Sequence, residues 1–204
     1  MKRTTWVYGV STLFAASFLS AASYAAEKSY VGVGVGIAAV TAYENDNDDY
    51  IVEDDSQFGY VTYGGWMFNR IVGVEMQYTD YGESSKTYTG GRNAYASMST
   101  LTLGANLGYT FDNGLRPFAT PSVGVSWLDL NADVTIDSTT YTLNSDDTSF
   151  VFQLTTGLDY TPAAMDQLTL RAAYAVSAAE YKDSSVYDIF HVGSMFFIGG
   201  SYNF

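Results

Sequence analysis

The last nine residues, Phe196–Phe204, read FFIGGSYNF, a pattern typical of a β-strand with one apolar face. In soluble domains the final residues are mostly frayed and polar, so a terminal phenylalanine is unusual. The opposite face of this strand is mostly small or polar. The apolar face takes every second residue and continues to the end of the chain: Phe196, Ile198, Gly200, Tyr202 and Phe204.

The other end of the chain, residues 1–25, has the features of a secretory signal peptide. Two basic residues precede an apolar stretch, Trp6–Leu19, and the small residues Ser23 and Ala25 fit a cleavage site. A transmembrane anchor needs about 20 continuous apolar residues, and glycine, serine and threonine interrupt this stretch. We predict cleavage after Ala25, which leaves residues 26–204 as a single domain.

Composition narrows the possible partners and cofactors. The chain contains no cysteine, so neither disulfides nor thiolate metal sites can form. Its formal net charge is −13, and the loss of Lys2 and Arg3 with the signal peptide makes the mature chain more acidic still. Nucleic acid and anionic lipid surfaces are therefore poor partners. We expect no cofactor.

The body of the chain repeats the same alternation of period two. It is clear in YVGVGVGI (30–37), IVGVEMQYTDY (71–81), LTLGANLGYTF (101–111) and LTLRAAY (168–174). Long and short gaps alternate between the predicted strands, with a tight turn at Asp112–Gly114, which is typical of an outer-membrane barrel with long external loops. The eight predicted strands are 30–40, 57–68, 71–81, 98–111, 116–128, 149–160, 167–176 and 189–204.

Aromatic residues separate this interpretation from a soluble β-sandwich, which would also show alternating strands. A sandwich gives its strand ends no reason to carry aromatic side chains at one common level. Two belts of aromatic residues, one at each end of the strands, are typical of a barrel that crosses the two interfaces of a bilayer. The predicted belt residues are Trp66, Phe68, Tyr109, Phe111 and Tyr160 near one edge, with Tyr202 and Phe204, and Tyr78, Trp127 and Tyr174 near the other.

Three segments, YGGWMFNRIVGVEMQYTDYG (63–82), RPFATPSVGV (116–125) and the terminal YNF, resemble the small outer-membrane β-barrel superfamily of OmpX, Ail, opacity-protein and OmpA-barrel types. The resemblance implies an all-β fold, an eight-stranded antiparallel up-and-down transmembrane barrel. It also implies that Tyr202 and Phe204 form the C-terminal signal read by the barrel assembly machinery.

The same resemblance implies the surroundings of the protein in a Gram-negative bacterium. Outer-membrane lipid and lipopolysaccharide would cover the barrel wall, both termini would be periplasmic, and the long loops would be extracellular. We expect a monomer with an unidentified surface ligand. The role predicted for such a protein is non-enzymatic, in envelope structure or in surface interaction of an adhesin-like or resistance-like kind.

An eight-stranded barrel has an interior only wide enough for side chains to fill it, so we expect a filled lumen and no open channel. Glu75 and Arg171 lie at the inward parity of two strands that face each other across the ring, at nearly one height. A buried charge is costly unless it is paired. We therefore predict a lumen ion pair between them, direct or through Gln77 or Asn106.

The acidic segment, TAYENDNDDYIVEDDS (41–56), permits two interpretations. It is either a solvated, repulsive surface or a divalent-cation site. The segment lacks the glycine and terminal glutamate of an EF-hand loop, so the cation motif is weak. Its seven acidic residues are Glu44, Asp46, Asp48, Asp49, Glu53, Asp54 and Asp55.

Two further function classes remain open at this point. A lipid-modifying enzyme of the outer leaflet needs a nucleophile beside a base, but His191 and Ser194 lie at opposite parities of one strand, so they cannot cooperate. A narrow pore or small-solute carrier would use the space left by inward glycines, which Tyr63, Met195 and Phe197 could occupy. We predict no catalytic residues and expect His191 to be structural.

Overall fold

The computed structural model describes residues 29–44, 56–88, 92–136, 139–182 and 188–204. These residues form eight strands that close into a barrel in sequence order, each antiparallel to the next, with β8 pairing β1. The predicted signal peptide lies outside the described residues. The strands are β1 Ser29–Glu44, β2 Gln57–Met67, β3 Val72–Tyr88, β4 Arg92–Gly108, β5 Leu115–Ile136, β6 Thr139–Tyr160, β7 Leu168–Lys182 and β8 Asp188–Asn203.

The barrel wall is apolar on the outside and largely polar on the inside, the reverse of a soluble protein. In β6 the outward Phe152 is 62% exposed while its inward neighbours Val151 and Gln153 are 0% and 3% exposed. Because side chains alternate across a strand, the period-two pattern of the sequence becomes this division between wall and lumen. In the part of the chain that the structure describes, no helix is long and apolar enough to cross a membrane.

The two ends of the barrel differ. The terminal end carries Ser29, Asn203 and the connections that follow β2, β4 and β6, whereas the loop end carries the others. The predicted tight turn at Asp112–Gly114 is present at the terminal end: Gly114 has φ +82°, and its N–H donates to the carbonyl oxygen of Phe111 at 3.0 Å. A glycine is suited to this position because a positive φ strains other residues.

The prediction of long loops at residues 82–97 and 129–148 is wrong. β3 continues to Tyr88 before β4 begins at Arg92, and β5 continues to Ile136 before β6 begins at Thr139. The apolar alternation stops near the predicted boundaries, but threonine, valine and tyrosine continue beyond them, and these residues favour strands. The hydrogen-bonded pairing of the strands therefore continues beyond the apolar alternation from which we predicted the strand ends.

The same correction applies to several acidic residues that we had assigned to loops. β7 and β8 also extend further than predicted, to Lys182 and from Asp188, so that most of the fourth long connection, residues 177–188, is strand as well. The acidic residues that belong to strands rather than loops are Glu44, Glu83, Asp129, Asp133, Asp146, Asp147, Glu180 and Asp188.

Four of the strands continue past the closed part of the barrel as one sheet. The pairing of β3 with β4 reaches Tyr88↔Arg92 and that of β5 with β6 reaches Ile136↔Thr139, and β4 stays paired with β5 throughout this region. By contrast, β2 leaves β3 at Tyr60↔Asp80, and β7 leaves β6 at Val151↔Ala179. We call residues 83–88, 92–97, 129–136 and 139–149 the protruding sheet.

A β-bulge marks the point in β3 where the protruding sheet begins. The register shifts between Asp80 and Glu83, and Gly82 between them has φ +81°. The N–H of Gly82 donates to Oδ1 of Asp80 at 2.8 Å, which satisfies a group that the irregular pairing would leave free. Bulges bend and twist a strand, so we expect a local bend in β3 where the protruding sheet begins.

Candidate functional site

The lumen is crossed by an ion pair between β3 and β7. Nη1 of Arg171 lies 2.9 Å from Oε2 of Glu75, and the two side chains are 2% and 0% exposed. Their strands stand on opposite sides of the ring, so the contact spans the barrel interior. The sequence predicted this pair from the inward parity and similar height of the two residues, and the structure places them in contact.

Two further charges, which the sequence analysis missed, complete this lumen network. Nε and Nη2 of Arg171 donate to the two carboxylate oxygens of Asp159 at 2.8 and 3.1 Å. Nη1 of Arg116 lies 3.6 Å from Oδ2 of the same Asp159. Both missed residues sit at the inward parity of their strands, so applying the parity test to β5 and β6 would have found them.

Neutral donors hold the Glu75 carboxylate in place. The hydroxyl of Tyr30 donates to Oε2 of Glu75 at 2.6 Å, and Nδ2 of Asn106 donates to the same oxygen at 2.9 Å and to the Tyr30 hydroxyl at 3.1 Å. Asn106 is therefore the polar neighbour that we expected at the pair. Gln77 lies in a separate set of contacts, where its Nε2 donates to Thr79 at 2.9 Å.

Aromatic rings cover the two faces of the Arg171 guanidinium. Its Cζ lies 4.1 Å from the ring centroid of Tyr63 and 4.3 Å from that of Phe118. A cation over an aromatic face is attracted to it, more strongly where water is excluded. Gly32 makes room for this arrangement, since a Cβ at that position would lie 2.5 Å from Cζ of the Tyr63 ring.

Beyond the ion network, toward the loop end, buried polar and apolar side chains together fill the interior. Oγ1 of Thr100 donates to Oε1 of Gln153 at 3.1 Å, and the Tyr81 hydroxyl bonds to Oγ of Ser177. The large apolar side chains that are at most 1% exposed form what we call the apolar cluster: Val61, Tyr81, Met98, Met195 and Phe197.

The terminal end is more open. A cavity of about 1020 Å³ enters the barrel from this end. Arg116, Asp159, Thr169 and Arg171 line it, together with residues of the three terminal-end connections, including Arg70. The lumen network therefore meets a cavity on one side and tightly buried side chains on the other.

The structure does not assemble the enzymatic candidates. His191 is buried in the lumen at 5% exposure, while Ser194 lies at the other parity of β8 on the outer wall. Six of the seven residues of the candidate metal cluster lie outside the described residues, and the backbone of the seventh, Glu44, pairs with Ile189. Elsewhere in the described ranges no three histidine, cysteine or acidic side chains group as a metal site would require.

The predicted belt residues all lie on the outer wall or at the strand ends. Tyr202 and Phe204 meet edge to face with their centroids 5.1 Å apart, as Tyr109 and Phe111 do. The N–H of Phe204 donates to the carbonyl oxygen of Ser29 at 2.8 Å, so the C-terminus is tied to β1. Trp66 and Tyr78 are half-buried, and the exposed belt residues are Phe68, Tyr109, Phe111, Trp127, Tyr160, Tyr174, Tyr202 and Phe204.

A closed antiparallel barrel with an apolar outer wall and charges in its lumen is a transmembrane β-barrel, because only a bilayer would solvate that wall. The chain belongs to the outer membrane protein beta-barrel domain family, whose model matches residues 11–204. It is therefore an outer-membrane protein.

Solved structures agree with this family at the level of the fold. Ail, the attachment invasion locus protein of Yersinia pestis, is 14% identical with a TM-score of 0.55 over 87% of this chain and 99% of its own. The outer membrane protease OmpT of Escherichia coli is 7% identical with a TM-score of 0.53 over 87% of this chain and 97% of its own. No curated protein sequence matches the chain at a significant level.

Proposed function

We propose that the protein is a non-enzymatic outer-membrane barrel that acts at the cell surface through its protruding sheet. The observation that carries this proposal is the continuation of β3–β6 beyond the closed barrel. In this arrangement the terminal end faces the periplasm and the loop end faces the exterior, as is usual for barrels with short periplasmic turns. The protein would then present folded strands, rather than loops alone, to the medium.

Strand length supports this arrangement. β5 and β6 each contain 22 residues, whereas a tilted transmembrane strand needs about 9–11. Among the β6 side chains that the structure describes, residues 148–160, the exposed large apolar ones lie between Phe150 and Tyr160. The remaining part, residues 139–149, has the length to reach roughly 30 Å along the strand at about 3.3 Å per residue. The membrane does not require this extra length, so we assign it to the surface role.

The protruding sheet has two edges that an extended peptide could use. Among the residues that the structure describes, the pairing of β6 with β7 begins at Val151, and the pairing of β3 with β2 ends at Asp80. Edge strands present unpaired backbone N–H and C=O groups, to which a partner segment can add as a further strand. We therefore propose an extended segment of another protein as the surface ligand.

Other partners follow from the position of the barrel in the membrane. Outer-membrane lipid and lipopolysaccharide would contact its apolar wall, and the barrel assembly machinery would read the Tyr202–Phe204 end during insertion. The separation of His191 and Ser194 argues against a lipid-modifying enzyme. The fold alone does not choose between these roles, since it is shared by an attachment protein and a protease.

The proposal is tested by shortening the protruding sheet. Residues 130–145, which begin and end at the paired Leu130 and Ser145, are replaced by Asn-Gly, a favoured two-residue hairpin turn. A control variant carries an altered connection at residues 161–167, at the terminal end. Bacteria that express each form are compared for attachment to cultured cells and for sensitivity to detergent.

The proposal is supported if the shortened variant loses attachment and the control variant does not. If the intact protein does not promote attachment and the shortened variant changes only detergent sensitivity, the surface-interaction role is rejected in favour of a structural role in the outer leaflet.

A narrow pore is the second candidate, because the terminal-end cavity already occupies part of the lumen. The buried network and the apolar cluster argue against passage beyond the cavity. Conductance of the purified protein in planar bilayers distinguishes the two functions. Discrete channel openings in the intact protein would favour the pore, and their absence would favour the surface role.

A further inference from the structure

We propose that the terminal-end cavity contains a binding site for an oxoanion group, a carboxylate or a phosphate, received by Arg116. This residue is 7% exposed and lines the cavity. Among the described residues, neither Nε nor Nη2 of Arg116 has a hydrogen-bond partner. These two atoms form one edge of the guanidinium, the fork that binds two oxygens of one anion side by side.

In the same lumen, the guanidinium of Arg171 shows how such a fork binds a carboxylate. Its own Nε and Nη2 hold the two oxygens of Asp159. The contact of Arg116 with Asp159 is longer, at 3.6 Å, and uses only Nη1. The network holds two carboxylates and two guanidiniums, so its formal charges balance. Arg116 differs from Arg171 in its bidentate edge, which no described residue occupies.

The surroundings of Arg116 determine how a ligand would reach it. Gly108 leaves the space in which the guanidinium lies, since a Cβ there would be 2.9 Å from Cζ of Arg116. Nε and Nη2 are shielded from solvent in this position. The guanidinium must therefore turn toward the cavity to receive an anion, and this movement gives partners to two buried N–H groups that otherwise lack them.

Phosphate and carboxylate groups share the chemistry that this fork recognises, so the test uses both. The full mature chain, refolded in maltoside micelles that expose both barrel ends, is titrated with sodium acetate or inorganic phosphate at constant ionic strength. The readout is the ¹⁵N–¹H signal of the Arg116 Nε–H group. We expect a saturable shift at millimolar concentration of at least one probe, and the probe that binds more tightly identifies the preferred group.

Two variants distinguish binding by the guanidinium fork from binding by positive charge in general. In ligand-observed saturation-transfer measurements, Arg116→Lys keeps the charge but not the fork, and should weaken binding at least about tenfold. Arg70→Gln removes a different arginine of the cavity lining, one that is exposed at the cavity mouth, and should leave binding unchanged.

The site is rejected if neither probe shifts the Arg116 signal saturably up to about 50 mM, well above a millimolar dissociation constant. Equal binding by Arg116→Lys also rejects it. The wild-type titration tests the site without any variant. Poor folding of a variant would therefore not prevent the titration from deciding whether the site binds an anion.

Discussion

Replacing Arg171 by methionine should destabilise the barrel more than any other single change in the lumen network. The substitution removes a side chain that contacts both Glu75 and Asp159, and it leaves two carboxylates in an interior where the Glu75 side chain is 0% exposed. An uncompensated buried charge is strongly unfavourable, whereas the intact pair roughly balances its own desolvation. The cost therefore arises mainly from the carboxylates that stay behind.

The magnitude follows from the partners that each carboxylate keeps. Breaking a buried pair typically costs about 3–5 kcal/mol. Glu75 keeps the donors Tyr30 and Asn106, and Asp159 keeps Arg116 at 3.6 Å. We therefore expect the free energy of unfolding to fall by about 4 kcal/mol, within that range but not beyond it.

A second variant, Glu75→Gln, should cost less, about 1–2 kcal/mol, because the amide still accepts hydrogen bonds from its neutral neighbours. Combined with Arg171→Met, it removes one of the two abandoned charges. The double variant should be more stable than the sum of the single effects implies, by about 1–2 kcal/mol.

The assay is equilibrium urea unfolding in phospholipid vesicles, followed by the fluorescence of Trp66 and Trp127. Arg70→Met is the matched control, since Arg70 pairs with Asp112 at 3.4 Å on the surface with side chains 65% and 99% exposed. Exposed pairs contribute little, so this control should unfold like the wild type. Wild-type stability of Arg171→Met, or additive effects in the double variant, would refute the reasoning.

Three further outcomes are expected. Deleting Phe204 should reduce the amount of protein inserted in cells, measured by surface labelling, far more than it reduces refolding in detergent; normal surface levels would contradict an assembly signal at this end. Gly32→Ala should lower the free energy of unfolding by about 1–3 kcal/mol, because the new Cβ would clash with the Tyr63 ring. Gly200→Ala is the control and should be tolerated, since its Cβ would come no closer than 3.7 Å to a neighbour. Equal effects of the two substitutions would contradict a steric role of Gly32. Millimolar calcium should leave the thermal midpoint unchanged if the acidic segment is only a solvated surface, and a rise that disappears when its acids are neutralised would instead establish a cation site.

The sequence alone determined the barrel and the side of its wall on which each residue lies. Period-two alternation assigns side chains to one face or the other without any knowledge of partners, because successive Cβ atoms in a strand point in opposite directions. The same counting placed Glu75 and Arg171 inward at one height. Aromatic residues up to Phe204 then distinguished a bilayer from a soluble core.

Strand ends could not be predicted from this pattern. Toward the loop end the apolar alternation that marks a strand disappears from the sequence while the backbone pairing continues. β5 and β6 therefore extend to Ile136 and from Thr139, well past the predicted boundaries. Only the register of neighbouring strands shows that they stay paired there and form the protruding sheet.

The composition of the lumen network also depended on tertiary structure. Asp159 lies directly opposite Arg171 in the β6–β7 register, and Tyr63 and Phe118 reach the same guanidinium from two other strands. Parity says that a side chain points inward, and counting from the turns gives its approximate height. Neither says which inward side chains meet, because strand tilt and stagger set that relation around the ring. Closure of the barrel brought together residues from seven strands, β1 to β7, and with them the edge of Arg116 that no described residue occupies.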